Sequence, residues 1–189
     1  MAILKIARMG HHVLRQTAAL IEDPGDPEVR RLVSDMLDTM EDADGTGLAA
    51  PQVHVPRRLV IFYVSGERAG RTDGDVEEEA EGDGEVPLTV LINPVIEPLS
   101  EEKVAGWEAC LSLPDLAGKV PRYRAVRYRG LTLDGEEIVR EATDFHARVV
   151  QHECDHLDGI LFPQRMTDMS ALVYASELKA QARAEMMEG

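Results

Sequence analysis

Apolar residues recur at helical spacing early in this chain. Asp26 supplies an N-cap acceptor, Pro27 suits the first helical position, and Gly45 and Gly47 end the segment. The apolar positions between these signals predict one face packed on a core: Val29, Leu32, Val33, Met36, Leu37 and Met40.

A second helix is predicted to begin at Thr143 or Asp144, with Gly159 as the residue that stops it. One face of this helix combines apolar residues and histidines: Phe145, Val149, His152 and His156. A last amphipathic helix is predicted over about 168–189, with Leu172, Val173 and Leu178 facing a core.

The chain between the first two helices is rich in β-forming residues. Glycine and proline bound two predicted strands, 58–64 and 88–93. Two further β segments are predicted at 120–128 and 130–139, and a turn signal at Asp134-Gly135 interrupts the second. An acidic, glycine-rich segment, 66–86, predicts a flexible, solvated loop between two of them. The order of helix, strands and two helices predicts an α+β fold with a mainly antiparallel sheet.

Composition narrows the class of protein. The 189 residues suit a single domain, 1–189, and the net charge of −15 argues against nucleic acid or an anionic membrane as the main partner. No apolar run approaches the ~20 residues that cross a bilayer, so we expect a cytoplasmic protein. The two cysteines, Cys110 and Cys154, are too few for a disulfide framework.

The sequence His152-Glu153-Cys154-Asp155-His156 carries the main chemical signal. Residues four apart lie on one face of a helix, so His152 and His156 can bind one divalent ion. Glu153 then lies beside the ion, where it can take a proton from a water ligand.

Two histidines leave a metal under-coordinated, and the residues offer two candidates for a third ligand. Glu177 follows His156 on the last predicted helix, as in gluzincin-type peptidases. Cys110 lies upstream in the segment 108–114. Spacing alone does not choose between them.

Three motifs in order resemble the peptide deformylase family: GTGLAAPQ at 45–52, EACLS at 108–112 and QHECDH at 151–156. The similarity covers nearly the whole chain except the acidic loop and the C-terminal tail. It implies antiparallel sheets packed around a central helix that bears the HExxH motif, with one helix N-terminal and one C-terminal to it.

The resemblance also implies roles for individual residues. Cys110, His152 and His156 would hold one divalent metal, Fe(II) in the cell, with Zn, Ni or Co as alternatives that the same ligands accept. Glu153 would be the general base, and the Gln52 amide and Leu111 N–H would stabilise the oxyanion.

The implied reaction is hydrolysis of the N-formyl group from the first methionine of new polypeptides near the ribosome, by a monomer. The backbone of Thr46 and Gly47 would pair with the substrate as an added strand, and Arg122 would contact it. Cys154, about 200° from His152 around the helix, would point away from the metal and be structural.

One departure from the family pattern bears on the site. Ala109 stands where most members have glycine, directly before Cys110. If this position needs a positive φ, alanine would be strained by roughly 1–2 kcal/mol, whereas an extended residue would tolerate the methyl group.

Two other functions remain open from the sequence. One is a gluzincin-like peptidase that uses Glu177. The other is a non-catalytic module that binds formyl- or acetyl-methionyl peptides, which the presence of Glu153 and Gln52 argues against.

Overall fold

The computed structural model describes residues 2–65, 84–178 and 180. Helix α1, Pro27–Asp42, begins as predicted, because the Asp26 side chain accepts from the Glu28 N–H at 2.7 Å. Val33, Met36 and Met40 are its buried apolar residues and pack on Leu48, Leu59 and Ile61.

A five-stranded antiparallel sheet has the order β1-β2-β3-β6-β7. Its strands are β1 Gly47–Ala49, β2 Leu59–Val64, β3 Val86–Pro98, β6 Ala125–Leu131 and β7 Glu137–Thr143. The predicted strand 120–128 divides at Arg124. Within 130–139, the predicted turn at Asp134-Gly135 joins β6 to β7, with Gly135 at φ 78°.

A three-stranded antiparallel sheet has the order β4-β5-β8. It consists of β4 Lys103–Cys110, β5 Leu113–Tyr123 and β8 Leu172–Tyr174. Cys110 is the last residue of β4, so the turn into β5 delivers its thiol to the end of the sheet.

Helix α2, Asp144–Leu157, lies between the two sheets and contacts β2 and β5. Ala147, Val150, Cys154 and Leu157 pack with Phe62, Leu91 and Tyr128 in a buried cluster. Thr143 occupies the N-cap without a capping side-chain bond, and Gly159 follows the C-cap at φ 72°. The prediction of an α+β fold around a central helix is confirmed.

The C-terminal helix begins later than predicted. Met169–Ala171 form a short 3-10 helix, and Leu172–Tyr174 form β8, because Val173 and its neighbours complete the ladder beside β5. Residues 175–178 and 180 are helical, and the rest of the predicted 168–189 helix lies outside the described residues.

Two further findings complete the fold. Most of the predicted 66–86 loop lies outside the described residues, and Val86 already belongs to β3. Among the helices described, none is both long and apolar enough to cross a membrane.

Candidate metal centre

Cys110, His152 and His156 converge at the end of β4 and the middle of α2. One ligand atom from each lies within 4.8 Å of the others, and the Cys110 Sγ is 3.3 Å from the His156 Nε2. The structure therefore brings the upstream thiol to the two helical imidazoles.

Glu177, the competing third ligand, is exposed and belongs to no metal-ligand cluster found among the described residues. The geometry thus supports Cys110 over Glu177.

Glu108 orients the first imidazole. Its Oε2 is 2.8 Å from the His152 Nδ1, which leaves the Nε2 of His152 for an ion. Residues two apart on a strand face the same side, so Glu108 and Cys110 of β4 both point at α2. Sequence reasoning missed this role of Glu108, although the strand alternation within 108–112 signals it.

Two arginines fix Glu108 in turn. Arg122 donates from Nε and Nη2 to its two carboxylate oxygens at 2.8 and 3.0 Å, and Arg148 donates to Oε1 at 3.1 Å. Burial alone would raise the pKa of Glu108, but the hydrogen bonds of His152 and Arg122 outweigh it and hold the pKa well below its usual value. Glu108 is therefore a buried, permanently charged acceptor.

The predicted substrate contact of Arg122 is not what the structure shows. The Arg122 side chain is buried, and its remaining Nη1 donates to Asp155 at 2.5 Å. It does not line the cavity that opens over Cys110, whereas Arg148 does. The Arg122 guanidinium is thus held by the two buried carboxylates of Glu108 and Asp155 rather than turned to that cavity.

The donor set fits a divalent ion. A tetrahedral ion with metal–sulfur and metal–nitrogen distances of about 2.3 and 2.1 Å separates sulfur and nitrogen by about 3.6 Å. The Cys110 Sγ and the His156 Nε2 are 3.3 Å apart, close to that separation. Burial alone would lower the pKa of His152, but the hydrogen bonds of Cys110 and Glu108 raise it well above its usual value. Because a metal binds the unprotonated imidazole nitrogen, an ion would take the place of the proton that His152 shares with Cys110.

Glu153 lies beside this cluster with different surroundings. Burial raises the pKa of Glu153 to about 7, and nearby His152 opposes that shift. Its Oε2 is buried without a hydrogen-bond partner among the described residues. A carboxylate with such a pKa accepts and releases a proton near neutral pH, as general acid–base chemistry requires.

Gln52 points its amide N–H group at Cys110 of the candidate metal cluster and at Ser112. Its Oε1 accepts from the Ala49 backbone N–H at 2.8 Å, so its Nε2 faces the Cys110 Sγ at 3.5 Å and the Ser112 Oγ at 3.2 Å. Leu111 lies in the β4–β5 turn and lines the same cavity. Both residues predicted to stabilise an oxyanion are thus at the site.

The N-terminal segment forms backbone hydrogen bonds with Gln52 and Ser112, one in each of the two segments beside the cluster. The Ala7 N–H donates to the Gln52 carbonyl at 2.7 Å, and the Met9 N–H donates to the Ser112 carbonyl at 2.8 Å.

A cavity of about 510 Å³ opens over the cluster. It is lined by Thr46 and Gly47 at the edge strand β1 and by Cys110 and His152 of the candidate metal cluster. Its apolar lining includes Leu113, Phe145 and Val149. A Cβ atom at Gly47 would overlap the Glu153 carboxylate, so a side chain at this position would displace that acid.

Ala109 and Cys154 are placed as ordinary residues. Ala109 of β4 pairs with Ala117 of β5. It is not among the positive-φ residues, so its methyl group is tolerated without backbone strain. Cys154 is buried in the core on the far side of α2, as predicted, and burial raises the pKa of its thiol.

A cysteine and two histidines around an open position, beside a buried glutamate and a peptide-sized cleft, define a metal-dependent hydrolase. The sequence matches the polypeptide deformylase family over residues 3–171. The chain belongs to the polypeptide deformylase family.

Curated relatives match most of the chain. It is 50% identical over 173 residues to peptide deformylase 1 of Bordetella pertussis, which covers 92% of this chain and 93% of the relative. It is 47% identical over 176 residues to peptide deformylase 1 of Nitrosomonas europaea, covering 93% of this chain and 94% of the relative.

Solved structures show the same fold. A Met-Ala-Ser-bound class I type b peptide deformylase from Acinetobacter baumannii superposes with a TM-score of 0.74 at 35% identity, covering 87% of this chain and 99% of that chain. An actinonin-bound peptide deformylase from Synechococcus elongatus gives a TM-score of 0.74 at 33% identity, covering 90% of this chain and 82% of that chain.

Proposed function

We propose that this chain hydrolyses the N-formyl group from the N-terminal methionine of newly made polypeptides, releasing formate and a free amine. The observation that carries the proposal is the convergence of Cys110, His152 and His156 beside Glu153, whose pKa is about 7. A binding module would have no need of a proton acceptor at this point.

We infer that the three ligands hold one divalent ion, with Fe(II) as the ion in the cell and Zn, Ni or Co as ions that purified protein accepts. When bound, the ion supplies Lewis acidity, which lowers the pKa of water and polarises the formyl carbonyl. Glu108 keeps His152 in the tautomer that turns Nε2 to the ion, since it occupies Nδ1 at 2.8 Å.

Glu153 moves the proton in this scheme. Its carboxylate takes a proton from the attacking water and gives it to the departing amine, so it ends the cycle in its starting state. Gln52 and the Leu111 N–H stabilise the charge that develops on the formyl oxygen. Loss of one such donor typically costs about 3–4 kcal/mol of transition-state stabilisation.

The peptide would bind along β1. Because β1 lies at the edge of its sheet, the backbone of Thr46 and Gly47 can pair with an extended substrate. The apolar cavity wall at Phe145 and Val149 suits the methionine side chain. The Met-Ala-Ser complex of the Acinetobacter baumannii relative supports a ligand of this kind.

We propose that residues 1–189 form one catalytic domain, acting as a cytoplasmic monomer on nascent chains near the ribosome. The net charge of −15 supports a peptide rather than a nucleic-acid or membrane partner.

Formate release from formyl-Met-Ala-Ser tests the proposal. Wild type should release formate, Glu153→Ala should lose that activity while retaining metal, and Glu177→Ala should match wild type because Glu177 is exposed outside the site. Equal formate release by wild type and Glu153→Ala would reject the proposed role of Glu153. Peptide binding without hydrolysis by the metal-loaded wild type would identify a binding module instead.

A further inference from the structure

A line of charged side chains leads from the metal ligand His152 to the opposite side of α2. Beyond Glu108 and Arg122 it reaches Asp155, which accepts from the Arg122 Nη1. Asp155 also accepts a bidentate pair of hydrogen bonds from Arg165. The Arg165 Nη2 is 2.7 Å from Oδ1, and its Nε is 3.1 Å from Oδ2.

Arg165 is the outer end of this line. It lies in the 3-10 helix Phe162–Arg165, its side chain is 46% exposed, and it lines a second cavity of about 720 Å³ behind α2. The other members are almost fully buried, with side-chain exposures of 3% for Glu108, 6% for Arg122 and 10% for Asp155.

We propose that Arg165 is a positioning residue that helps His152 hold the metal, acting through Asp155, Arg122 and Glu108. The inference rests on the proposed metal site and adds to it a residue remote from the substrate cavity.

The physical reason is competition for one guanidinium. Arg122 is shared by the carboxylates of Glu108 and Asp155, and both are buried where charge is poorly screened. Arg165 supplies a second positive charge to Asp155. Without it, Asp155 depends on Arg122 alone and draws that guanidinium away from Glu108, which loosens the acceptor that fixes the His152 ring.

The expected effect is modest because Arg165 is half exposed. Solvent-exposed ion pairs contribute little, and a group that acts through three intermediates contributes less than a direct partner of the ligand. We expect Arg165→Gln to accelerate loss of Co(II) to a chelator by about two- to five-fold. Arg165→Lys, which keeps the charge, should recover part of the difference.

The matched control is Arg127→Gln. Arg127 has a similar side-chain exposure of 49% and a comparable contact to Glu141 at 2.6 Å, but it lies on β6 and contacts no member of the line. Arg127→Gln should release Co(II) at the wild-type rate. Equal rates for Arg165→Gln and Arg127→Gln would overturn the inference.

A double-mutant cycle tests the route. In a Glu108→Gln background the line is already broken, so adding Arg165→Gln should leave the Co(II) release rate unchanged. Additive effects would overturn the route through Glu108. If Glu108→Gln retains no cobalt, Asp155→Asn replaces it in the same cycle with the same expected outcome.

Cobalt release is followed by the thiolate–cobalt absorption band, with no substrate present. Failure of the proposed function therefore has a different signature: wild type that binds no cobalt, or cobalt-loaded wild type that releases no formate.

Discussion

Two glutamates flank the same imidazole and have opposite surroundings. Glu108 accepts hydrogen bonds from His152, Arg122 and Arg148, and its pKa lies well below the usual value. Glu153 is equally buried, but its Oε2 has no partner among the described residues and its pKa is about 7.

Hydrogen-bond partners, rather than burial, separate the roles of the two acids. Burial alone would raise the pKa of both carboxyls, and the charges of His152 and Arg122 oppose that shift at both. Only Glu108 also accepts hydrogen bonds from them, and these reverse the shift. Glu108 thus remains a charged anchor for a metal ligand, whereas Glu153 can exchange a proton.

The largest effect is expected when Glu153, rather than Glu108, is replaced by the corresponding amide. Glu153→Gln removes the proton acceptor, so we expect kcat/KM for formyl-Met-Ala-Ser to fall by about 10²–10⁴-fold with metal content unchanged. Steady-state kinetics and metal analysis on the same sample measure both. Loss of metal together with activity would show that Glu153 acts on the ion's ligands instead.

A methyl group at Gly47 should displace the reactive acid without removing it. Gly47→Ala places a Cβ against the Glu153 carboxylate, and a misplacement of this size can cost about 10²-fold in kcat/KM.

Gly25→Ala is the control for this substitution, because the nearest atom to its new Cβ is an Asp23 side-chain oxygen at 3.3 Å. Wild-type activity in Gly47→Ala would mean that Glu153 need not occupy this position.

Replacing Glu108 should weaken metal binding more than it slows the chemical step. Glu108→Gln weakens the hydrogen bond to the His152 Nδ1, so we expect metal affinity to fall by about 10–100-fold. At saturating metal, much of the activity should return. A variant that binds metal like wild type yet is inactive would place Glu108 in the chemistry and erase the distinction between the two acids.

The smallest effect is expected at Ala109, next to the metal cysteine. Because Ala109 is an extended strand residue, Ala109→Gly should leave kcat/KM within about three-fold and lower the free energy of unfolding by roughly 0.5–1 kcal/mol. Kinetics and denaturant unfolding measure the two quantities. A ten-fold gain in kcat/KM would show that the methyl group obstructs the site.

The local patterns of the chain predict much of this architecture. The start of α1 at Asp26, its apolar face and the placement of His152 and His156 on one helical face follow from short-range spacing, and all appear in the structure. Their success reflects the short range of capping and helical periodicity.

Long-range pairing explains what the sequence did not predict. Strand β8 replaces the first part of the expected C-terminal helix because it pairs with β5, whose partner residues lie 54 to 58 positions earlier in the chain. The role of Arg122 depends likewise on Glu108 and Asp155, which come from different elements. No local pattern in the sequence specifies these contacts.

X-ray absorption on cobalt-loaded protein tests the central claim most directly, namely that one thiolate and two imidazoles share an ion beside a glutamate that does not bind it. We predict one sulfur and two imidazole nitrogens around cobalt in wild type and in Glu153→Gln, with the sulfur lost in Cys110→Ser. A wild-type spectrum without sulfur, or one that Cys110→Ser leaves unchanged, would contradict the assignment.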